Sequence, residues 1–236
     1  EKRSSHGTTS PQYYNELLVD PRDPDRVYAL DTFTHVSEDG GESWQRLPFQ
    51  HRHVDDHALW IDPRQSDHLL IGGDGGIYES WDSGLNWRHF RNLPATQFYR
   101  ATPDNDSPFY NVCAGTQDNH TLCGPSRTVY TDGITNADWW ISQFGDGFKT
   151  RFDPDNPAIV YSQYQYGGLN RFDRVTGEAL SITPQPGPEE NQFRWNWNSP
   201  LIVSPHDARR LYYGAEKLFR SDDRGASWRA VSPDLS

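Results

Sequence analysis

Carboxylates, imidazoles, amides and indoles gather in a few short stretches of this chain. HRHVDDH sets His51, His53, Asp55, Asp56 and His57 side by side. GGDGG carries Asp74, GTQDN carries Gln117, Asp118 and Asn119, and FGDGF carries Asp146. RWNWN carries Arg194, Trp195 and Trp197, and Glu216 and Lys217 lie further on. Two carboxyl groups are what glycoside hydrolysis needs, about 5–5.5 Å apart for retention of configuration or about 6.5–9.5 Å for inversion. Asp56, Asp74, Asp118, Asp146 and Glu216 are the catalytic candidates, with Asp55 beside them, and spacing alone does not choose a pair. His53, Asp55, His57, Gln117, Asn119, Arg194, Trp195 and Trp197 are candidates for ligand contact. Flat indoles with polar edges suit pyranose faces, but packing between structural elements uses Trp195 and Trp197 equally well. The His and Asp cluster matches no standard zinc spacing, so no metal site is assigned. There is no phosphate loop, dinucleotide fingerprint or G-x-S-x-G elbow, and no cofactor is expected.

The elements that must position these residues repeat along the chain. Prolines at Pro21, Pro63, Pro103, Pro154 and Pro205 recur at intervals of 42, 40, 51 and 51 residues. Around each, short β-branched and aromatic runs alternate with Pro, Gly, Asp and Asn, which reads as strands and turns. No long 3.6-residue period occurs, so essentially no helix is expected. A period of about 40–50 residues is that of four-stranded propeller blades. The predicted fold is all-β, with about five antiparallel blades at 13–50, 51–93, 94–144, 145–196 and 197–236. A leader or linker is expected over 1–12. The first strand (Tyr13 to Val19) and the last (Trp228 to Val231) leave none over to close a ring, so the blades are expected to form an arc of a larger propeller.

One turn is specific. SEDGGESW (37–44), SWDSGLNW (80–87) and SDDRGASW (221–228) share S-x-D-x-G-x-x-W, with Ser or Asn before the Trp. Looser copies are TDGITNADWW from Thr131 and RFDRVTGE from Arg171. The carboxylates of Asp39, Asp82 and Asp223 are suited to accept N–H groups of their own turn. The glycine supplies a positive φ, and Trp44, Trp87 and Trp228 anchor the turn in the core. These residues resemble Asp-box, or bacterial neuraminidase, repeats. The succession HVDDHALWIDP, GGDGGIYES, LPATQFYR, GTQDN, FGDGF, RWNWNSP and SPDLS resembles the large bacterial sortilin-type and glycosyl-hydrolase-type Asp-box proteins. That resemblance implies a secreted or periplasmic propeller with more blades than these. The expected function is binding of a glycan or peptide, with polysaccharide hydrolysis as the alternative. No sialidase-type arginine triad can be assigned.

In a four-stranded antiparallel blade, the a–b and c–d loops share one end, and the b–c loops and d–a links share the other. The proline turns and Asp boxes take the first end. Every catalytic and ligand-contact candidate falls at the second, which is where loops on a rigid scaffold carry function.

Composition narrows the partners. Asp and Glu number 33 against 22 Lys and Arg, a net charge of −11, with a pI near 5.2. A nucleic-acid partner or an anionic membrane surface is disfavoured, because both call for a basic footprint. Aromatics at 14% argue against disorder, and no apolar run approaches the roughly 20 residues of a membrane span. Met is absent and the chain begins at Glu1, which reads as a mature or excised segment. The two cysteines, Cys113 and Cys123, are equidistant from Asp118 in a symmetric hairpin. A disulfide in an oxidising compartment is expected, against the alternative of two buried thiols.

Overall fold

The computed structural model describes residues 7–14, 16–93 and 96–236. Residues 1–6 of the expected leader, with Asn15, Pro94 and Ala95, lie outside the described residues. Among the described residues the chain forms five four-stranded antiparallel sheets and a single short 3-10 turn, Asn136–Asp138. The first sheet comprises β1 (Leu17–Val19), β2 (Val27–Ala29), β3 (His35–Ser37) and β4 (Gln45–Arg46). The second comprises β5 (Asp56–Ile61), β6 (Leu69–Gly73), β7 (Gly76–Ser80) and β8 (Arg88–His89). The third comprises β9 (Ala101–Pro103), β10 (Asn111–Gly115), β11 (Thr121–Pro125) and β12 (Trp140–Gln143). The fourth comprises β13 (Gly147–Phe152), β14 (Ile159–Tyr164), β15 (Gly168–Asp173) and β16 (Ala179–Ser181). The fifth comprises β17 (Leu201–Val203), β18 (Leu211–Gly214), β19 (Leu218–Ser221) and β20 (Arg229–Ala230). In each sheet the strands lie side by side in chain order. The chain divides into two compact units, 1–95 with the first two sheets and 96–236 with the other three.

One device opens every sheet. The residue that follows the first strand accepts the backbone N–H two residues on. Asp20 accepts from Arg22 at 2.8 Å, Asp62 from Arg64 at 2.8 Å and Asp104 from Asp106 at 3.1 Å. Asp153 accepts from Asp155 at 3.0 Å and Ser204 from His206 at 3.2 Å. These side chains mimic a backbone turn and are buried. The third sheet corrects the proline alignment. Asp104, not Thr102, occupies the position of Asp20, so Asn105 and not Pro103 is the counterpart of Pro21.

The S-x-D-x-G-x-x-W turns link β3 to β4, β7 to β8 and β19 to β20. In each, the Ser hydroxyl accepts the N–H of the glycine at 2.8 Å: Ser37 from Gly41, Ser80 from Gly84, Ser221 from Gly225. One Asp oxygen accepts the N–H four residues on, and the other accepts that residue's side chain. Asp39 takes Ser43 Oγ at 2.6 Å, Asp82 takes Asn86 Nδ2 at 2.7 Å and Asp223 takes Ser227 Oγ at 2.5 Å. The position before the Trp is therefore Ser or Asn because both can donate. The glycines have φ of +90°, +87° and +86°, values that penalise a Cβ.

In the second and fifth sheets the tryptophan and glycine reach back to the preceding sheet of their own unit. Trp87 Nε1 donates to Pro48 O at 3.0 Å, and Trp228 Nε1 donates to Ile182 O at 2.7 Å. A Cβ on Gly84 would stand 2.8 Å from Leu47 Cδ1, and one on Gly225 would stand 2.5 Å from Ile182 Cδ1. Leu47 and Ile182, one residue past β4 and β16, are thereby buried. The cores lie between sheets. Tyr28, Val36, Leu59, Leu69 and Ile71 pack together in the first unit, and Tyr161, Leu169, Leu201, Leu211 and Tyr213 in the second.

Candidate functional site

The second unit brings two of the chemically suggestive stretches together. The turn between β10 and β11 holds GTQDN, and the link before β13 holds FGDGF. His120 N donates to Gly145 O at 2.6 Å and Gly147 N donates to Thr116 O at 2.9 Å. This apposition requires Gly115 and Gly147. A Cβ on Gly115 would stand 2.5 Å from Gly147 O, and one on Gly147 would stand 2.9 Å from Gly115 Cα. Thr116 Oγ1 closes the turn by donating to Asn119 O at 2.7 Å. Below it Cys113 and Cys123 are directly opposed, 4.0 Å apart at Cα, and joined as a disulfide.

The result is a carboxylate pair on one amide. Asn119 Nδ2 donates to Asp118 Oδ1 at 2.8 Å and to Asp146 Oδ1 at 3.2 Å. Those two oxygens therefore lie no more than about 6 Å apart, a bound that admits the about 5–5.5 Å spacing of retaining glycosidic chemistry. Gln165 Oε1 accepts Asp146 N at 2.9 Å, and Asp146 is buried. Aromatic rings adjoin the pair. Tyr99 OH donates to Gln117 Oε1, and the Tyr99 ring meets Phe148 at 5.0 Å. Phe148 meets Trp197 edge-on at 5.9 Å, and Trp197 meets Tyr166 edge-on at 4.9 Å. Tyr99, Phe144 and Tyr166 are exposed at 47%, 66% and 67%, so rings stand open beside buried acid.

The remaining candidates of this unit are held in packing. Trp195 lies 5.0 Å from Tyr213 and against Gly167, where a Cβ would stand 2.1 Å from the indole. Glu216 is buried and accepts Arg194 N at 2.7 Å. The Arg194 guanidinium pairs with Asp234 at 2.7 Å; the Ser236 N–H, and then Arg194, hold Asp234 down to about 2, below the ordinary carboxylate range.

The first unit gathers the others. Asp56 is buried, ion-paired with Arg52 and 2.6 Å from Thr34 Oγ1. Burial pushes its pKa up against the pull of Arg52. Arg52 also lies 5.0 Å over the Trp87 ring, so this pair braces the sheet interface. Asp55 accepts Tyr14 OH at 2.7 Å, the Tyr14 ring stacks on His57 at 5.1 Å, and His57 Nε2 lies 3.1 Å from Asp74 Oδ1. Burial, then Asp55, raises the Tyr14 phenol above the ordinary tyrosine range. His53 donates its N–H to Tyr78 OH at 3.1 Å and packs on Gly75. Tyr14, Tyr99, Tyr166 and Gln165 complete these clusters. The sequence places Gln165 in a b–c turn of the same end, whereas only their contacts distinguish the three tyrosines. Among the described residues no three His, Cys, Asp or Glu side chains are gathered closely enough for a metal ion, and no helix is long and apolar enough to cross a membrane.

No family model matches the chain. It is 26% identical to the xyloglucanase Xgh74A of Acetivibrio thermocellus, covering 93% of this chain and 32% of that protein. It is 24% identical to the oligoxyloglucan-reducing end-specific xyloglucanase of Emericella nidulans, covering 92% and 27%. The chain thus spans about a third or less of these curated relatives. Among solved structures it is similar to the GH74 xyloglucanase from Xanthomonas campestris, with 18% identity, 94% of this chain and 38% of that chain covered, and a TM-score of 0.41. It is also similar to YCF48 bound to D1 peptide, with 16% identity, 90% and 66% covered, and a TM-score of 0.38.

Proposed function

We propose that this chain is part of an Asp-box β-propeller glycoside hydrolase that acts outside the cytoplasm on a branched glucan of the xyloglucan kind. The observation that carries the reading is the convergence of Asp118 and Asp146 on Asn119, beside the open rings of Tyr99, Phe144 and Tyr166. The two carboxyl groups flank the scissile bond, with Asp146, the more enclosed, as the acid and Asp118 as its partner. Exposed rings offer stacking surface to pyranose units, and Gln117 and Gln165 offer amide edges. The xyloglucanase relatives support a glycan over a peptide as the ligand. Their greater length supports further blades in the same protein. The Cys113–Cys123 bond supports an oxidising compartment.

The test is incubation of the protein with xyloglucan, an unbranched β-glucan and a mannan, with reducing ends measured over time. The expected outcome is release from xyloglucan, reduced about 10²–10⁴-fold in Asp146→Asn and in Asp118→Asn. Xyloglucan should still retard Asp146→Asn in affinity electrophoresis. Hydrolysis at the wild-type rate in both variants would refute the assignment of the pair. Retardation of the wild type without any release would establish a glycan-binding propeller instead.

A further inference from the structure

The second unit carries a group of cations with no ion-pair partner among the described residues. β9 packs against β13. Arg100, which is exposed, immediately precedes β9, and the half-buried Lys149 and Arg151 lie on β13. Along β13 the side chains alternate: Phe148, Thr150 and Phe152 are buried, while Lys149 and Arg151 between them are half-buried on the other face. Arg151 donates to Thr150 O at 2.8 Å and lies 3.4 Å from Thr102 Oγ1, both neutral groups. None of the three cations forms an ion pair among the described residues. Several other arginines do have a carboxylate: Arg26 has Glu38, Arg194 has Asp234, Arg210 has Asp222 and Arg224 has Asp153.

The three cations stand together in a chain of net charge −11. Burial disfavours the charged form of Lys149, and Arg151 and Arg100 disfavour it further; Arg151 is pushed the same way by burial and then by Arg100. Like charges held half-buried cost stability unless a counter-charge reaches them. Guanidinium and ammonium groups together suit an oxygen anion, the first by paired N–H donors and the second as a point charge.

We propose that Arg100, Lys149 and Arg151 form a binding site for an oxyanion, either free or carried by an acidic sugar as a carboxylate or sulfate. The site starts three residues along the chain from Asp146, so a sugar-borne anion would be held alongside the carboxylate pair. The proposal does not rest on hydrolysis.

The experiment follows the melting midpoint and the heat of binding of the protein at constant ionic strength in chloride. Sodium phosphate, sodium sulfate, glucuronate and neutral glucose are the additions. The expected result is a saturable rise in midpoint with at least one of the three anions and none with glucose. Saturation by phosphate or sulfate assigns a free ion as sufficient. Saturation by glucuronate alone assigns the sugar-borne group. In Lys149→Gln/Arg151→Gln the anion effect should disappear, while the anion-free midpoint equals or exceeds that of the wild type, since repulsion has been removed. Two results would overturn the site: no saturable anion effect in the wild type, or an equal effect in the double variant.

Discussion

Gly115→Ala tests the geometry that unites GTQDN with FGDGF. The added methyl would stand 2.5 Å from Gly147 O and nearer still to Gly147 C and Phe148 N, where ordinary contact begins at 3.4 Å. β10 and β13 must therefore part by about 1 Å, since rigid strand backbones offer no rotamer to yield. The Gly147 N to Thr116 O and His120 N to Gly145 O bonds cross that gap and are stretched or lost. Two hydrogen bonds at about 1 kcal/mol each, with overpacking strain of about 1–3 kcal/mol, give about 3–5 kcal/mol. At about 2–4 °C per kcal/mol the melting midpoint should fall by about 10 °C. A displacement of about 1 Å between Asp146 and Asn119 should also lower any hydrolytic rate about 10²-fold. Gly72→Ala is the control. Its Cβ meets only Ala58 Cβ at 4.0 Å, so the midpoint should hold or rise. Differential scanning calorimetry of both variants decides the matter. A Gly115→Ala protein with the wild-type midpoint would refute the close-approach argument.

Acid should open the turns. Hydrogen bonds from Ser43 hold Asp39 down from 3.8 to about 2, and Asp82 and Asp223 are lowered by their own turns. A depressed carboxylate contributes stability above its unfolded pKa and loses it as pH falls through the folded one. Near-ultraviolet circular dichroism should change between about pH 4 and pH 2, with a smaller change in Asp39→Asn. Reduction of Cys113–Cys123, which spans 10 residues, should cost about 2–3 kcal/mol in urea unfolding. Two free thiols in unfolded, unreduced protein would exclude the bond. Trp228→Phe removes the donor to Ile182 O and should cost about 1 kcal/mol, read as a shift in urea midpoint at constant slope.

The fold was legible because its turns are written in side chains. Asp20, Asp62, Asp153 and Ser204 precede prolines, and the S-x-D-x-G-x-x-W turns announce themselves. The third sheet slipped by two residues in the alignment because Asp104 does there, without a following proline, what Asp20 does in the first. The carboxylates of the candidate site were all named, but their grouping was not. Asp118 and Asp146 meet only because two glycines let β10 and β13 approach, and a glycine in sequence does not state what it faces. Asp56 and Asp55 are neighbours in HRHVDDH, yet one is fixed by Arg52 and the other by Tyr14, because Asp56 begins β5 while Asp55, at φ +68°, still belongs to the turn before it. Trp195 and Trp197 read alike, and packing separates them. Arg100 and Lys149 are 49 residues apart, so their proximity left no local mark.

Leu47 and Ile182 belong by chain order to the sheets they follow, and by packing to the turns of the sheets that come next. A sheet is therefore not the piece that can be exchanged. A graft cut at the strand boundary would carry away Trp87 and Gly84 while leaving behind the leucine they cover, or bring in a turn with nothing beneath it. The transferable piece runs from the residue after one fourth strand to the end of the following fourth strand. Duplication of this chain by recombination would keep its cores intact only in that phase, with each copy arriving already equipped with the lid's seat for its own tryptophan.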